Sequence, residues 1–88
     1  MKLSILIVNW NTRDLVVKCL NSALKNAPPF EFEAIVVDNH SSDGSAEALI
    51  NLFGSNKKIQ IIPAWRNLGF AKANNLAFAH GSGEFIQL

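Results

Sequence analysis

The sequence is poor in the residues that mark several classes of protein. It has one cysteine, Cys19, among 88 residues, which excludes an internal disulfide and a zinc site built from cysteines. A reducing, cytoplasmic setting is the simplest interpretation. Charged residues make up 17% and the formal net charge is +1, against roughly 25% charged residues in an average soluble domain. Because the basic residues are scattered and nucleic-acid binding needs a basic face, no nucleic-acid partner is expected.

Long apolar runs and several short motifs are also missing. No run approaches the roughly 18 apolar residues of a membrane-spanning helix, and the run at residues 3–8 is too short and too near the start for a signal-peptide core. The sequence has no G-x-G-x-x-G, no G-x-x-x-x-G-K-S/T and no G-x-S-x-G. It therefore resembles neither the usual dinucleotide-binding domain, nor a P-loop protein, nor an α/β-hydrolase.

The sequence does contain a regular alternation of β-rich and helical patterns. The β-rich runs are residues 3–8, 34–37, 59–62 and 84–88. The first two are almost continuously apolar, which is typical of strands covered on both faces. Helical spacing of apolar residues predicts helices at about 12–26, 42–53 and 70–80. The order β-α-β-α-β-α-β predicts an α/β fold with a parallel, Rossmann-like sheet.

The apolar faces of the three predicted helices define the expected core. Asn11 or Thr12 is expected to cap the first helix, and Ser42 or Asp43 the second. The residues expected to face inward are Leu15, Val16, Cys19, Leu20, Ala23, Leu24, Ala46, Leu49, Ile50, Phe53, Phe70, Ala73, Leu76 and Ala77.

Polar residues collect in the loops that follow the predicted strands. These loops, at residues 9–12, 38–45 and 63–69, are rich in Asn, Asp, Ser and Gly. Of the loops at the opposite edge, residues 26–33 are proline-rich and residues 54–58 form a plain polar turn. Since ligands of open parallel sheets bind beyond the carboxyl ends of the strands, the sequence predicts a polar site at that edge.

Several of these polar residues have both a ligand-binding and a structural interpretation. Asp38 lies directly after the second strand, where its carboxylate suits a base imide or a ribose hydroxyl, but also the backbone N–H groups of its own loop. Asn9 and Asn11 either face a base or sugar or shape a turn. Trp10 either stacks on a ring or is buried. For Asp43, capping of a helix is the favoured role.

The segment that leads into the third helix has a similar concentration of polar residues. Gly69 permits a positive φ or a close backbone approach. Asn74 and Asn75 lie mid-helix, where each costs about half a kcal/mol relative to alanine, so at least one is expected to make a side-chain contact. Arg66 and Lys72 either meet a phosphate or lie on a solvated face.

Three segments together carry a resemblance to a known family. Residues 4–11, 35–45 and 67–75 resemble family 2 glycosyltransferases of the GT-A fold in their order and spacing. The choices at Asn39, Gly69, Phe70, Asn74 and Asn75 look most like the branch that includes bacterial rhamnosyltransferases. The resemblance covers essentially the whole chain. It implies transfer of a sugar, with inversion, from a nucleoside diphosphate to an acceptor hydroxyl, and it makes residues 1–88 the N-terminal nucleotide-sugar-binding part of a truncated domain.

The resemblance also implies which residues bind the nucleotide sugar. They are Val8, Asn9, Asn11, Asp38, Asn39, Gly69, Phe70 and Asn74. By their motif positions, the first three line the pocket for base and ribose, Asp38 bonds the base or ribose, Asn39 shapes the loop, and the last three close over the nucleotide. Many family members have arginine where this chain has Asn74. A carboxylate suits an imide N–H, which favours a UDP or dTDP sugar as donor, with a saccharide or lipid-linked acceptor.

The chain ends before the family's remaining functional parts. In the family, an Asp-containing motif that holds a divalent metal (Mg or Mn) follows the fourth strand, and here the sequence stops at Leu88. The catalytic base and the acceptor-binding half lie further on. We therefore expect no catalytic and no metal-binding residue in this fragment, no activity from the fragment alone, and self-association through uncovered apolar surface. Whether the full protein works at a membrane face is left open.

Two alternatives to a transferase stay open at this point. One is a non-catalytic nucleotide-binding or regulatory module of the same architecture. The other is a small interaction domain in which the polar loops are only turns and caps. Nucleotide binding separates the interaction domain from the other two.

Overall fold

A computed structural model describes residues 2–26, 31–81 and 84–87, the last four by their backbone. Strands and helices alternate throughout, as predicted. The elements are β1 (Lys2–Asn9), α1 (Arg13–Lys25), β2 (Glu31–Asp38), α2 (Ser45–Phe53), β3 (Ile59–Pro63), α3 (Phe70–His80) and β4 (Glu84–Gln87). Within these ranges, no helix is long and apolar enough to cross a membrane.

The four strands form one parallel sheet in the order β3-β2-β1-β4. The register pairs Asn9 with Asp38 and Asp38 with Pro63. These three residues end their strands, so the carboxyl ends of β1, β2 and β3 lie side by side at one edge of the sheet. The predicted α/β class and the parallel sheet are confirmed.

The sheet is covered on both faces, which explains its continuous apolar strands. In β2, Ala34 and Val36 pack with α1 and α2, whereas Ile35 and Val37 pack with α3. Because successive side chains of a strand point to opposite faces, α1 and α2 lie on one face and α3 on the other. Ala73 and Ala77 of α3 are fully buried against the sheet, and the half-buried Leu76 packs beside them.

The helix faces differ from the prediction at four residues. Leu15, Ile50 and Phe70 are 63%, 44% and 65% exposed, and Cys19 is exposed as well. In α1 the buried stripe runs through Val16 and Leu20, and a side chain one position earlier is rotated by about 100° around the helix. Leu15 and Cys19 therefore share a neighbouring, solvent-facing stripe. In each helix, the apolar face predicted from the sequence is therefore wider than the face that packs against the sheet.

The helix starts also correct one prediction. Thr12 is the N-cap of α1, as expected, although its side chain makes no capping hydrogen bond. The N-cap of α2 is Gly44, with φ 80°, rather than Ser42 or Asp43. Asp43 nevertheless accepts a hydrogen bond from the backbone N–H of Ser45 at 3.0 Å. A glycine takes the left-handed backbone at the cap, and the preceding carboxylate satisfies the helix N–H.

Candidate functional site at the carboxyl edge of the sheet

The site is built around three buried polar residues at the tips of β1 and β2. Asn9, Asp38 and Asn39 are 0%, 2% and 4% exposed. Buried polar side chains are costly unless they are hydrogen-bonded, so their partners show how this edge is constructed. The polar edge that the loop composition predicts is present.

The Asp38 carboxylate binds groups of its own protein. Its Oδ1 accepts hydrogen bonds from Asn9 Nδ2 and from the Ser41 hydroxyl, both at 2.7 Å. Its Oδ2 accepts a hydrogen bond from the Ser41 backbone N–H at 3.1 Å. The latter bond closes a turn around His40, which has a positive φ of 63°. These contacts shape the loop after β2, and a contact of Asp38 with a base or ribose stays a prediction.

The Asn9 side chain joins Asp38 to the start of α1. Its Oδ1 accepts hydrogen bonds from the Thr12 hydroxyl at 2.7 Å and from the Thr12 backbone N–H at 3.2 Å. Its backbone carbonyl accepts the N–H of Asn39 at 2.7 Å. The Asn9 side chain is therefore both a donor and an acceptor. Its amide nitrogen donates to Asp38 at the end of β2, and its oxygen accepts from Thr12 in the loop after β1.

A second set of bonds fixes the turn at Asn11. The Asn11 backbone N–H donates to Ser41 Oγ at 2.9 Å, and the Ser42 N–H donates to Asn11 Oδ1 at 2.8 Å. Asn11 has φ 56°, a conformation that asparagine tolerates better than most residues. The reciprocal bonds hold it there, so the loops after β1 and β2 form one connected unit.

Asp43 ties the start of α1 to the start of α2. Its carboxylate accepts from the hydroxyl and N–H of Ser45 and, at 3.4 Å, from the N–H of Arg13. The hydrogen bond from the Ser45 hydroxyl is the main reason that the pKa of Asp43 lies below its ordinary value, and desolvation opposes the shift. The Arg13 guanidinium donates back to the Asp43 carbonyl oxygen at 3.3 Å.

The third loop is attached through Asn39. Its Nδ2 donates to Asn67 Oδ1 at 3.1 Å, and its Oδ1 accepts the N–H of Leu68 at 2.8 Å. Asn67 Oδ1 also accepts the N–H of Gly69 at 2.8 Å. This pair of amides sets the path of the chain into α3. The Asn39 side chain thus contacts the third loop rather than its own.

Gly69 and Phe70 lie at the open side of this edge. Gly69 has φ 79° and ψ 160°, a region that is essentially restricted to glycine. A Cβ at this position would meet nothing within 4 Å, so the glycine is needed for its backbone and leaves open space beside it. Phe70 is 65% exposed.

The two mid-helix asparagines of α3 differ from one another. Asn74 Nδ2 donates to the Phe70 carbonyl oxygen at 3.0 Å, while its Oδ1 is buried and has no partner among the described residues. Asn75 is exposed. The side-chain contact predicted for at least one of them is therefore made by Asn74, within its own helix.

The aromatic residues at this edge are exposed. Trp10 is 55% exposed and Trp65, after β3, is 75% exposed. The guanidinium carbon of Arg66 lies 4.7 Å from the Trp65 ring centroid, a cation–π distance. The burial considered for Trp10 is wrong, and its availability for stacking remains a prediction.

A shallow cavity of about 230 Å³ opens beside the first two loops. Its lining residues are Asn11, Thr12, Arg13, Asp14, Leu15 and Asp43. Of the eight residues implied by the resemblance, only Asn11 lines it. Val8, by contrast, is half-buried and packs with the cluster under α3.

The described residues do not fit a divalent metal. Nowhere in residues 2–26 and 31–81 do three His, Cys, Asp or Glu side chains come together as a metal site would require. The buried carboxylate of the site, that of Asp38, accepts hydrogen bonds from three donors of its own protein.

The sequence-based predictions assign no role in the polar site to three residues of this arrangement: Ser41, Thr12 and Asn67. Ser41 could have been found, because a residue three positions after an Asp at a strand end commonly closes a turn onto that carboxylate. The contacts of Asn67 and Thr12 with residues of neighbouring loops depend on the register of the sheet, which the sequence does not display.

Solved structures define the class to which this fold belongs. The S. aureus TarS 1–349 structure in complex with UDP-GlcNAc superposes with a TM-score of 0.79, at 27% identity over 99% of this chain and 26% of that one. The mannosyltransferase PcManGT from Pyrobaculum calidifontis, in complex with GDP-Man and Mn2+, gives a TM-score of 0.79 at 23% identity, over 92% and 24% of the two chains. The fold is that of GT-A glycosyltransferases.

The sequence comparison names the family. A model of glycosyl transferase family 2 matches residues 4–88, and the chain belongs to that family. Among relatives, the poly(ribitol-phosphate) beta-glucosyltransferase of Bacillus spizizenii is 34% identical over 88 residues, which is 98% of this chain and 14% of the relative. The chain thus spans a small part of the length of the proteins it matches.

Proposed function

We propose that this chain is the nucleotide-binding part of a transferase that moves a sugar from a nucleoside-diphosphate sugar to an acceptor hydroxyl, with inversion. The observation that carries the proposal is the hydrogen-bonded polar edge at the carboxyl ends of β1, β2 and β3, in a chain of glycosyl transferase family 2. Ligands of open parallel sheets bind at that edge. The TarS complex with UDP-GlcNAc supports a nucleotide sugar as the ligand.

Within this proposal, the eight residues divide by exposure. Asn11, Gly69 and Phe70 are exposed and are available to contact the nucleotide directly. The other five, which are buried or half-buried, frame the pocket: Val8, Asn9, Asp38, Asn39 and Asn74. The helix α3 begins at Phe70, so its free N–H groups and positive dipole end face the same side as Gly69.

The donor base and sugar are part of the proposal. We favour UDP or dTDP, and TarS was solved with UDP, whereas PcManGT, with the same fold, was solved with GDP-Man. The fold therefore does not decide the base. Rhamnosyl transfer, a saccharide or lipid-linked acceptor, and a cytoplasmic setting remain predictions.

The chain by itself is proposed to bind rather than to catalyse. Transfer requires a base that reaches the acceptor hydroxyl, and the family resemblance assigns that role to none of these residues. PcManGT was solved with Mn2+, but the described residues here form no metal site. We infer that a metal and a catalytic base for the complete enzyme come from residues outside this chain.

An amide-resolved NMR titration tests the proposal. The chain is titrated with UDP, dTDP, GDP and ADP, each with and without magnesium. The expected result is a set of shifts confined to amides near Asn11, Ser41 and Gly69 for one pyrimidine diphosphate. If none of the four nucleotides shifts any amide signal, the result would contradict nucleotide binding by this chain and favour an interaction module.

We also propose that the chain associates with itself through apolar surface. Five apolar side chains on the three helices are between 44% and 65% exposed: Leu15, Ile50, Leu52, Phe70 and Phe78. Exposed apolar patches promote association. Analytical ultracentrifugation over a hundredfold concentration range is expected to show dimers or larger species, and a monomer throughout would contradict the proposal.

A further inference from the structure

The Asp38 carboxylate is engaged on both of its oxygens by groups of the protein. Three donors reach it, at 2.7, 2.7 and 3.1 Å, and the residue is 2% exposed. A ligand N–H or hydroxyl would need both access to the carboxylate and a free direction on an oxygen. The three donors belong to Asn9 and Ser41, and these two residues in turn hold Thr12 and Asn11.

We propose that Asp38 is a positioning residue, which acts on the nucleotide through Asn9 and Ser41 and not by contact with it. The carboxylate holds the Asn9 amide and the Ser41 hydroxyl. Ser41 Oγ accepts the N–H of Asn11, and this bond helps to hold the left-handed turn at Asn11. This inference rests on the proposed function. The expected direct contact of Asp38 with the base or ribose is replaced by an indirect effect, in which Asp38 positions Asn9 and Ser41.

The donor and acceptor roles in the hydrogen bonds of Asn9 and Asp38 define a variant that tests the positioning role. Asn9 uses its oxygen to accept two bonds from Thr12 and its nitrogen to donate to Asp38. Exchange of the two residues, Asn9→Asp with Asp38→Asn, preserves this arrangement. The new carboxylate at position 9 accepts from Thr12 and from the new amide at position 38. That amide accepts the Ser41 N–H on its oxygen, and the Ser41 hydroxyl turns to donate to position 9.

Each single exchange, by contrast, breaks the arrangement. Asp38→Asn places an amide NH2 against either Asn9 Nδ2 or the Ser41 N–H, so that two donors face each other. Asn9→Asp places two carboxylate oxygens at the present 2.7 Å separation of Asn9 Nδ2 and Asp38 Oδ1. The two residues pair directly in the β1–β2 register, so neither can move away without displacing a strand end.

The experiment measures nucleotide dissociation constants for the wild type, both single variants and the double exchange, using the nucleotide that binds the wild type. We expect each single variant to weaken binding about tenfold or more, as loss of a buried charged hydrogen bond does, and the double exchange to return within about threefold of the wild type. Glu31→Gln, which removes an exposed carboxylate at the opposite edge of the sheet, is the charge control and should bind as the wild type does.

Two results would overturn the positioning role. If the double exchange binds as weakly as Asp38→Asn, the carboxylate is needed at position 38 itself, as direct contact requires. If Asp38→Asn binds as the wild type does, the network is not needed for binding. If a single variant fails to fold, the comparison of the double exchange with the wild type decides between the two roles.

A second readout separates this inference from the proposed function. If no nucleotide binds the wild type, nucleotide binding by the chain fails, and the positioning role is judged by the denaturant midpoint and by the amide shifts of Asn11 and Ser41. Recovery of both in the double exchange, after loss in the single variants, supports the inference. A double exchange that is no more stable than either single variant overturns it.

Discussion

At the scale of single residues, Ser41 is the point at which the first two loops meet. Its hydroxyl donates to Asp38 and accepts from the backbone of Asn11 and, at 3.3 Å, from Asn9 Nδ2. One small side chain thus serves three partners from two loops. Ser42, the next residue, has its hydroxyl 3.4 Å from Asn11 Oδ1 and is exposed. The two adjacent serines form a natural pair for comparison.

We expect Ser41→Ala to lower the free energy of unfolding by about 1–2 kcal/mol, because a partly buried hydrogen-bonding group is lost and its partners remain. Ser42→Ala, the matched control, should change it by less than about 0.5 kcal/mol. Urea denaturation followed by tryptophan fluorescence measures both values. Equal effects of the two substitutions would argue that the Ser41 hydroxyl does not connect the loops.

Asp43 gives a prediction on pH dependence. Its carboxyl has a pKa below the ordinary 3.8, chiefly because the Ser45 hydroxyl donates to the ionised form. A depressed folded-state pKa contributes stability above the unfolded-state value, and that contribution is lost as the pH falls through the folded value. We therefore expect stability to decline below about pH 4. Asp43→Asn should flatten that decline, as thermal denaturation at several pH values would show; an unchanged slope would contradict the assignment.

At the scale of elements, the starts of α2 and α3 each depend on a local backbone requirement. Gly44 precedes α2 with φ 80°, and Gly69 precedes α3 with φ 79°. Neither position lacks space for a Cβ: the nearest atom at Gly44 is Arg13 Nη1 at 3.9 Å, and at Gly69 nothing lies within 4 Å. Both glycines are required for their backbone conformation, but only Gly69 borders the proposed nucleotide position.

We expect Gly69→Ala and Gly44→Ala each to destabilise the chain by about 1–3 kcal/mol, the cost of a sparsely populated backbone conformation. Only Gly69→Ala should also weaken nucleotide binding, because it places a methyl group and a shifted backbone beside the open side of the site. Calorimetric titration of both variants, at a temperature where both are folded, measures the difference. If both variants lost the same affinity for the nucleotide, the loss would be explained by general destabilisation of the fold and not by the position of Gly69.

At the scale of the whole molecule, the described side chains cover the two faces of the sheet unequally. Among residues 3–26 and 31–81, the face under α1 and α2 has a cluster of eight buried residues, and the face under α3 has five. The larger cluster includes Leu49 and Phe53 of α2 and Leu20 of α1. The folding energy of the described part therefore comes mainly from one side of the sheet.

We expect Leu49→Ala to cost about 2–5 kcal/mol, because it leaves a cavity in the larger cluster. Leu52→Ala is the control on the same helix, since Leu52 is 60% exposed whereas Leu49 is 0% exposed, and it should cost less than about 0.5 kcal/mol. Chemical denaturation compares the two. A cost for Leu52→Ala that approaches that of Leu49→Ala would show that Leu52 is covered in solution, as self-association predicts.

The sequence by itself determined the order of the elements, the parallel sheet and the edge at which polar residues collect. These follow from local patterns: apolar runs of strand length, helical spacing, and turn residues after each strand. The motifs at residues 4–11, 35–45 and 67–75 also carried the family, which the match over residues 4–88 confirms.

The tertiary structure alone decided which atoms at that edge are already occupied. Asp38 has the position and charge of a ligand-binding residue. The register of the sheet places Asn9 beside it, and the turn brings the Ser41 hydroxyl within hydrogen-bonding distance of its carboxylate. Likewise, Leu15 and Cys19 have apolar character, but α1 packs through Val16 and Leu20, which leaves the stripe of Leu15 and Cys19 in solvent. The contact between Asn9 and Asp38 joins residues 29 positions apart in the chain, and local sequence patterns hold no information on such a contact.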